Sequence, residues 1–506
     1  MVLARKGFSS TSCMFRNSFD SEILDQINAG NTDGQTMNAV DSETARASYM
    51  ARVNYNYASK YLVEFNIRRD GSENFAPDKR WGTFASASLG WVISEEPFFE
   101  SLKNTINFLK IRGSYGTLGN DNTGGVSFPF YSRFELYQGA VASNGFMNNL
   151  GDYAFGDLVT KGLVPGAIAN SLATWEKSNK ANIALDATLF NNLNFTVDLF
   201  TERRTNILTQ RTAEVPSSFG GTLPLENIGI VNNKGIDLSL NYHNSIGKVN
   251  YSVGGNFTFA RNKIVEMAEA EGTSEYMRQT GRPINGYYGY KTDGIFQSQE
   301  EIDSYAKQEV AGVGYETQIG DIKYVDVDGN GVVNSDDMTY LGYGNIPEII
   351  YGINGSLNWK NFDFSFLMQG AANAQVYLKG GIILPYFNQG NLPQFWVNEA
   401  WTEENPSNRY PRLAESVHNF PATDVPGVQT YLYNASYLRL KNIEVGYTFP
   451  TSWLSRIGVT NARVYVNAQN LFTISNVPQI DPENTEQEGW TYPQMKSFNF
   501  GLSLQF

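Results

Sequence analysis

The sequence predicts an all-β protein, an antiparallel transmembrane β-barrel, on three observations. Apolar and polar residues alternate with period 2 in segments of about ten residues, the pattern of a strand with one apolar and one watered face. The connections between these segments alternate between tight turns and long insertions. Aromatic residues make up 14% of the chain, with 29 Tyr, 32 Phe and 47 Gly, a composition of strand formers and turn residues. A chain of 506 residues exceeds one ordinary globular core but suits a large barrel.

The segments follow in order. Tyr49, Ala51, Val53, Tyr55 and Tyr57 share one face, with Arg52, Asn54 and Asn56 on the other. Tyr61, Val63, Phe65 and Ile67 oppose Glu64, Asn66 and Arg68. Leu109, Ile111, Gly113 and Tyr115 oppose Lys110, Arg112 and Ser114. The last segment sets Phe498, Phe500, Leu502, Leu504 and Phe506 against Ser497, Asn499, Ser503 and Gln505. In all, roughly thirteen strands are expected, near 49–57, 60–69, 83–91, 107–117, 180–190, 193–202, 234–243, 249–260, 349–359, 362–370, 437–449, 461–468 and 497–506. Inward positions such as Arg52, Glu64, Arg68, Lys110, Arg112 and Asp186 would line a watered lumen.

Short turns fall at 58–59, 191–192, 245–247 and 360–361. Long insertions fall near 118–179, 203–233, 261–348, 371–436 and 469–496, which places one rim close to the wall and the other under large loops. Barrels of this kind have even strand numbers with both ends on the short-turn side. Counting back from the last strand, the segment at 49–57 must begin on the long-loop side, so residues 1–48 should hold a strand before it. A first unit of 1–48, an upstream strand and loop, and a second of 49–506, the main wall, follow.

Composition excludes other classes. Formal net charge is -13, which disfavours nucleic acid, whose phosphates need a basic face. Cys13 is the only cysteine, so no intrachain disulfide forms. His243 and His418 are the only histidines and lie far apart in sequence, a poor basis for a catalytic or metal cluster. No run of about 18 apolar residues marks a transmembrane helix. Mean hydropathy of -0.34 is compatible with a wide barrel, in which every second residue faces water. The N-terminal stretch lacks a continuous apolar core of the signal-peptide kind.

Several strings resemble the SusC/RagA-like family of TonB-dependent outer-membrane receptors. They are Tyr55 to Leu62, Arg68-Arg69-Asp70-Gly71-Ser72 with Phe75, Trp81-Gly82, Gly90-Trp91, Ser94-Glu95-Glu96, Leu109 to Gly116 with Gly119-Asn120, Trp175-Glu176-Lys177, Asn233 to Asp237, Gly289 to Phe296 and Asn467 to Thr473. They occur in family order from about residue 49 onward. Ala85 departs from the family, which often has proline there. The resemblance implies a barrel of about 22 strands with a plug inside it, and that this chain corresponds to the C-terminal portion, without plug, TonB-contacting segment or leader. It implies import of a nutrient, an oligosaccharide or a peptide, with a SusD-like surface lipoprotein and the TonB complex as partners, in the Gram-negative cell outer membrane.

The sharpest chemical motif is Asp326 to Asp337, which fits a twelve-residue calcium loop. Asp326, Asp328 and Asn330 take positions 1, 3 and 5, Gly331 the turn at 6, Val332 offers a carbonyl at 7, Asn334 stands at 9 and Asp337 closes at 12. Ca²⁺ prefers six to eight oxygens, and this spacing gathers them. Asp rather than Glu at position 12 makes the loop resemble dockerin-type sites. The alternative is an Asp/Asn/Gly-rich turn without metal. The loop falls in the 261–348 insertion, on the outer rim, where its role would be structural. Tyr287, Tyr288, Tyr290, Trp396 and Trp401, with Tyr410, cluster in the long loops. They could stack on sugar rings, or pack the loops.

Three rival functions remain. A siderophore or cobalamin receptor of the wider TonB-dependent class would share the wall. An outer-membrane enzyme needs a Ser/His/acid set at a rim, and no Gly-x-Ser-x-Gly segment accompanies either histidine. A calcium-binding adhesin would be soluble without detergent. No catalytic residue is assigned, and the expectation is a transporter rather than an enzyme.

Overall fold

In the computed structural model the described residues are 2–15, 36–136, 152–155, 158–161, 163–211, 223–310, 314–387, 390–407, 409–414, 418–419, 427–454, 458–484 and 488–506. Their main feature is a single 15-stranded sheet, with fourteen strands on one continuous path and Thr473–Ser475 off it. In chain order the path is β1 (Val2–Phe15), β2 (Thr36–Tyr57), β3 (Tyr61–Ser72), β4 (Trp81–Val92), β5 (Ile106–Asn120), β6 (Glu176–Leu189) and β7 (Leu193–Gln210). It continues through β8 (Leu225–Ile246), β9 (Val249–Glu266), β10 (Ile349–Trp359), β11 (Phe362–Ala372), β12 (Tyr437–Thr448), β13 (Asn461–Gln469) and β14 (Ser497–Gln505). Each strand pairs antiparallel with its sequence neighbours on the path. The sheet is a single wall rather than a sandwich. Its end strands β1 and β14 are not paired with each other among the described residues.

All thirteen expected strands are present, and the strand required before residue 49 is β1, paired from Val2↔Tyr49 to Phe15↔Thr36. The largest boundary differences lie on the long-loop side. There β7 runs on to Gln210, β8 starts at Leu225 rather than 234, and β2 starts at Thr36 rather than 49. The reason is physical. Above a lipid layer neither face of a strand needs apolar residues, so the backbone keeps its ladder while the period-2 signal disappears.

Directly paired residues share a face, and the register sorts the two faces. One carries Val53 at 63% exposure, Leu89 at 64%, Ile183 at 66% and Phe500 at 80%, an apolar surface that no part of the described chain covers. The other carries ion pairs between adjacent strands and across an intervening one. Arg52 meets Glu64 at 2.6 Å, Arg112 meets Asp186 at 3.1 Å and Asp198 at 2.7 Å, and Arg463 joins Asp363 and Glu444. The expected lumen residues therefore stand on the polar face. No helix of the described residues is long and apolar enough to cross a membrane; crossing falls to the strands.

At the short-turn rim, aromatic rings form a girdle. Tyr57 stacks on Tyr61 at 6.4 Å, and Trp359, Phe362, Tyr447, Phe449 and Trp453 touch in sequence, each ring 4.8 to 6.5 Å from the next. Such rings suit the interface between hydrocarbon and water. Two turns here are built on left-handed non-glycine residues. In the β2–β3 turn these are Ala58 (φ 52°) and Ser59 (φ 58°); in the β6–β7 turn, Phe190 (φ 53°) and Asn191 (φ 60°). Both close with an i to i+3 bond, Lys60 N–H to the Tyr57 carbonyl and Asn192 N–H to the Leu189 carbonyl, each 3.0 Å. This is the twist that two-residue hairpins prefer. The β4–β5 connection is a pair of 3₁₀ turns around buried Glu96, which accepts from Tyr61 Oη at 2.7 Å, Trp91 Nε1 at 3.2 Å and Lys60 Nζ at 3.2 Å.

Candidate cation centre in the outer loops

The two longest connections, 267–348 and 373–436, fold together into a dome with its own core. Ile322, Tyr324, Val333, Leu378, Ile383, Trp396, Val428 and Tyr431 are each at most 1% exposed and form one cluster. Short ladders stitch the loops. Tyr287–Tyr290 pairs antiparallel with Thr339–Gly342 and parallel with Gly427–Val428 of the other loop. Gln375–Tyr377 pairs with Leu432–Asn434, and Lys307–Gln308 with Val332–Val333.

Several buried polar groups inside the dome bond to partners both near and distant in sequence. Asp321 is fully buried and accepts from Arg412 Nε (2.7 Å), Asn419 Nδ2 (2.8 Å), Tyr315 Oη (2.8 Å) and the Gln318 N–H (2.9 Å). Gln308 donates to the Tyr324 carbonyl and accepts the Tyr324 N–H. His418 is buried with Nε2 2.8 Å from the Ile322 carbonyl and its ring stacked 4.8 Å from Tyr315. Burial holds its imidazole below the ordinary histidine range.

The loop 326–337 sits on this core. Val333 is buried in it, and Asp337, also fully unexposed, closes the loop from below. Asp337 accepts the Val327 and Asp328 N–H groups at Oδ1 (2.7 and 3.3 Å) and the Asn334 N–H at Oδ2 (2.8 Å). Asp326 accepts the N–H groups of Gly329 (2.7 Å) and Gly331 (2.8 Å), Asp328 that of Asn330 (2.9 Å) and Asn330 that of Val332 (2.8 Å). Asn334 accepts the Asp336 N–H at 2.7 Å. Gly329 and Gly331 stand at φ 76° and 88°, where a side chain would be strained. The Lys307–Gln308 ladder uses the carbonyls of Gly331 and Val333, which leaves the Val332 carbonyl between them on the opposite side of the chain.

Six expected ligand residues are thus brought to one turn. Carboxylate oxygens of Asp326, Asp328 and Asp337 lie within 4.8 Å of one another, and none of the three forms an ion pair with a Lys or Arg among the described residues. Backbone N–H groups, that of Gly331 foremost, hold the Asp326 carboxyl below the usual carboxylate range. Carboxylates at this separation repel when charged, and a divalent cation with hard-oxygen preference would offset that repulsion. The donor set fits Ca²⁺.

The loop aromatics divide between the two expected roles. Trp396 is fully buried, donates from Nε1 to the Ile383 carbonyl at 2.6 Å and packs 5.0 Å from Tyr410; Tyr290 is 5% exposed, 5.5 Å from Tyr324. Both are core, with no ring face left for a sugar, because the dome needs large side chains to fill it. Tyr287 is half-buried, 6.5 Å from Tyr377. Tyr288 packs edge-on to Tyr340, donates to the Arg278 carbonyl, and has its hydroxyl pushed up to about 12 by burial. Trp401 donates to Gln297 Oε1 at 2.9 Å and packs against Gly320. The Asp321–Arg412–Asn419 network had no sequence signal, because its members come from two loops that no periodicity connects.

A wall with an apolar outside, a charged inside, a girdle of rings at one rim and folded loops at the other defines an outer-membrane β-barrel protein. Comparisons with known proteins name the group. The family profile described as "TonB dependent receptor-like, beta-barrel" matches residues 7–471. The chain is 31% identical over 485 residues to the TonB-dependent receptor P26 of Formosa agariphila, covering 91% of this chain and 46% of that protein. To the TonB-dependent receptor SusC of Bacteroides thetaiotaomicron it is 30% identical over 468 residues, covering 91% and 43%. Among solved structures the RagAB peptide transporter superposes with a TM-score of 0.73 at 23% identity, over 100% of this chain and 56% of that one. The chain belongs to the TonB-dependent receptor β-barrel family and is an outer-membrane protein. It spans about half the length of the curated relatives it matches.

Proposed function

We propose that this chain forms wall, outer loops and partner surface of an active nutrient importer. The observation that carries the reading is the combination of a TonB-dependent receptor wall with a single folded dome built from two outer loops. In this reading the substrate, an oligosaccharide or a peptide, is captured on the outer side with a SusD-like lipoprotein and released inward when the TonB complex draws energy from the proton motive force. The wall contributes a hydrated, charge-paired lining rather than a reacting group, and no enzymatic role is proposed. Uptake of labelled oligosaccharides and peptides by cells with and without the gene tests it. The expected result is gene-dependent uptake that a protonophore abolishes; uptake unaffected by the protonophore would overturn the reading.

We also propose that the 326–337 loop holds Ca²⁺, with Asp326, Asp328, Asn330, the Val332 carbonyl, Asn334 and Asp337 as its ligand residues. The ion would neutralise the three carboxylates and fix the loop against the dome core through Val333. A site with Kd of about 10⁻⁴ M in millimolar Ca²⁺ would stabilise the dome by roughly 1.4 kcal/mol. Calorimetric titration of the purified protein with Ca²⁺ should show one site that Asp337→Asn weakens by about 10-fold or more. No heat of binding, or an unchanged affinity in the variant, would refute it.

A further inference from the structure

We propose that the outward face of the wall, directly above its apolar belt, binds the phosphate groups of a phosphorylated lipid in the outer leaflet. The register fixes which side chains face out. Across β6 to β9 the row Ile183, Leu199, Ile236 and Phe259 is entirely apolar. From Val249, at the short-turn rim beside Trp359, to Phe259 the strand rises about 33 Å, or about 25 Å once tilted, the height of a hydrocarbon belt. The next outward row is Ala181, Thr201, Lys234 and Arg261, and the row above it Asn179, Arg203, Asn232 and Lys263. On β8 and β9 the switch from apolar to basic therefore falls within one step of the pleat, from Ile236 and Phe259 to Lys234 and Arg261.

These rows floor a recess of about 700 Å³ whose lining includes Lys234, Arg261, Lys263, Arg282, Tyr340 and Glu348. The dome walls it. The 281–282 segment bonds along the free edge of β9, with Gly281 N–H to the Ile264 carbonyl at 2.8 Å and Ile264 N–H to the Arg282 carbonyl at 2.9 Å. Arg282 lies 5.1 Å over the Tyr340 ring. Glu348 is the only carboxylate lining the recess among the described residues, and Arg261 already occupies it through two bonds of 2.8 and 2.6 Å. Lys234 and Lys263 are exposed and have no carboxylate partner among the described residues. A net-acidic chain that gathers unpaired cations at one depth, on the side facing lipid rather than lumen, has placed them where anionic headgroups lie. The occupant is a lipid and not a free phosphate because the recess floor is continuous with the apolar belt, which would take the acyl chains.

The inference rests on outer-membrane placement and not on what is imported, so uptake measurements and the following titration fail separately. The intact detergent-solubilised protein is titrated with bisphosphoryl lipid A, its dephosphorylated form and sodium phosphate. Expected are saturable binding of the bisphosphoryl lipid, binding at least about 10-fold weaker without the phosphates, and a loss of roughly 10-fold or more in Lys234→Gln/Lys263→Gln. Lys110→Gln, a charge removed from the polar face, should leave the affinity unchanged. Equal binding of both lipids, an unaffected double variant, or displacement of the lipid by millimolar sodium phosphate would overturn the proposal. Assembly is checked by the heat-dependent gel shift of folded barrels. Should the double variant not assemble, Arg282→Gln, which changes a loop residue outside the wall, takes its place with the same expected loss.

Discussion

At the scale of single residues, the turn at 326–337 was readable because its spacing is what the proposed Ca²⁺ ligand set would require: oxygens that return to one point every second residue around a sharp turn. Its glycines confirm the turn at φ 76° and 88°. What spacing did not reveal is burial, and hence that Asp337 is shut inside while Asp328 is exposed. The left-handed Ala58 was equally invisible, since alanine carries no turn signal. Ala58→Gly should raise stability to urea-induced unfolding by about 1 kcal/mol, because it relieves a left-handed conformation that costs a Cβ-bearing residue roughly 1–2 kcal/mol and returns part as chain entropy. His418 supplies a pH prediction. Its folded pKa is lowered, so the unfolded chain binds the proton more readily and stability rises with pH between the two values. The dome should therefore lose stability as pH falls from about 6.5 toward the lowered folded pKa. Protease cleavage within 373–436 that grows between pH 7.5 and pH 5 in the wild type, and does not in His418→Gln, is the expected observation.

At the scale of elements, strands inside the lipid layer were legible and their extensions were not. Ile349–Trp359 was placed to the residue because both ends coincide with the loss of alternation. Leu225–Asn233 was missed because its cover comes from a loop: Gly229 and Val231 are buried, and Asn170 and Thr174 bond to the Leu225 carbonyl and to Asn227, contacts that impose no period along the strand. The dome escaped sequence reading for another reason: it joins residues as far apart as Thr292 and Thr430, 138 positions in sequence, and nothing local signals such pairs. Its independence is testable. Trp396→Ala removes a fully buried indole and should cost the dome about 3–5 kcal/mol. The expected outcome is rapid cleavage in 267–348 and 373–436 with the heat-dependent gel shift of the wall retained. Loss of the wall itself would show that the two are one cooperative unit.

For the molecule as a whole, the two faces of the sheet carry opposite tolerances. Leu240 lies outward and near the middle of the belt, while Ser239 next to it points inward. Leu240→Arg should cost about 2–4 kcal/mol in unfolding from lipid vesicles, and Ser239→Arg little. Comparable losses at both positions would mean that the faces had been assigned wrongly.

The parallel pairing of Tyr290 with Val428 also has a mechanical side. Two flaps hinged on different strands could swing apart; two flaps riveted edge to edge cannot. Where the dome meets the wall it is fastened again, Gln375 N–H to the Gly344 carbonyl and Ala435 N–H to the Ala374 carbonyl, each 2.9 Å. Torque applied at either root is shared by both, and this half of the doorway moves as one leaf.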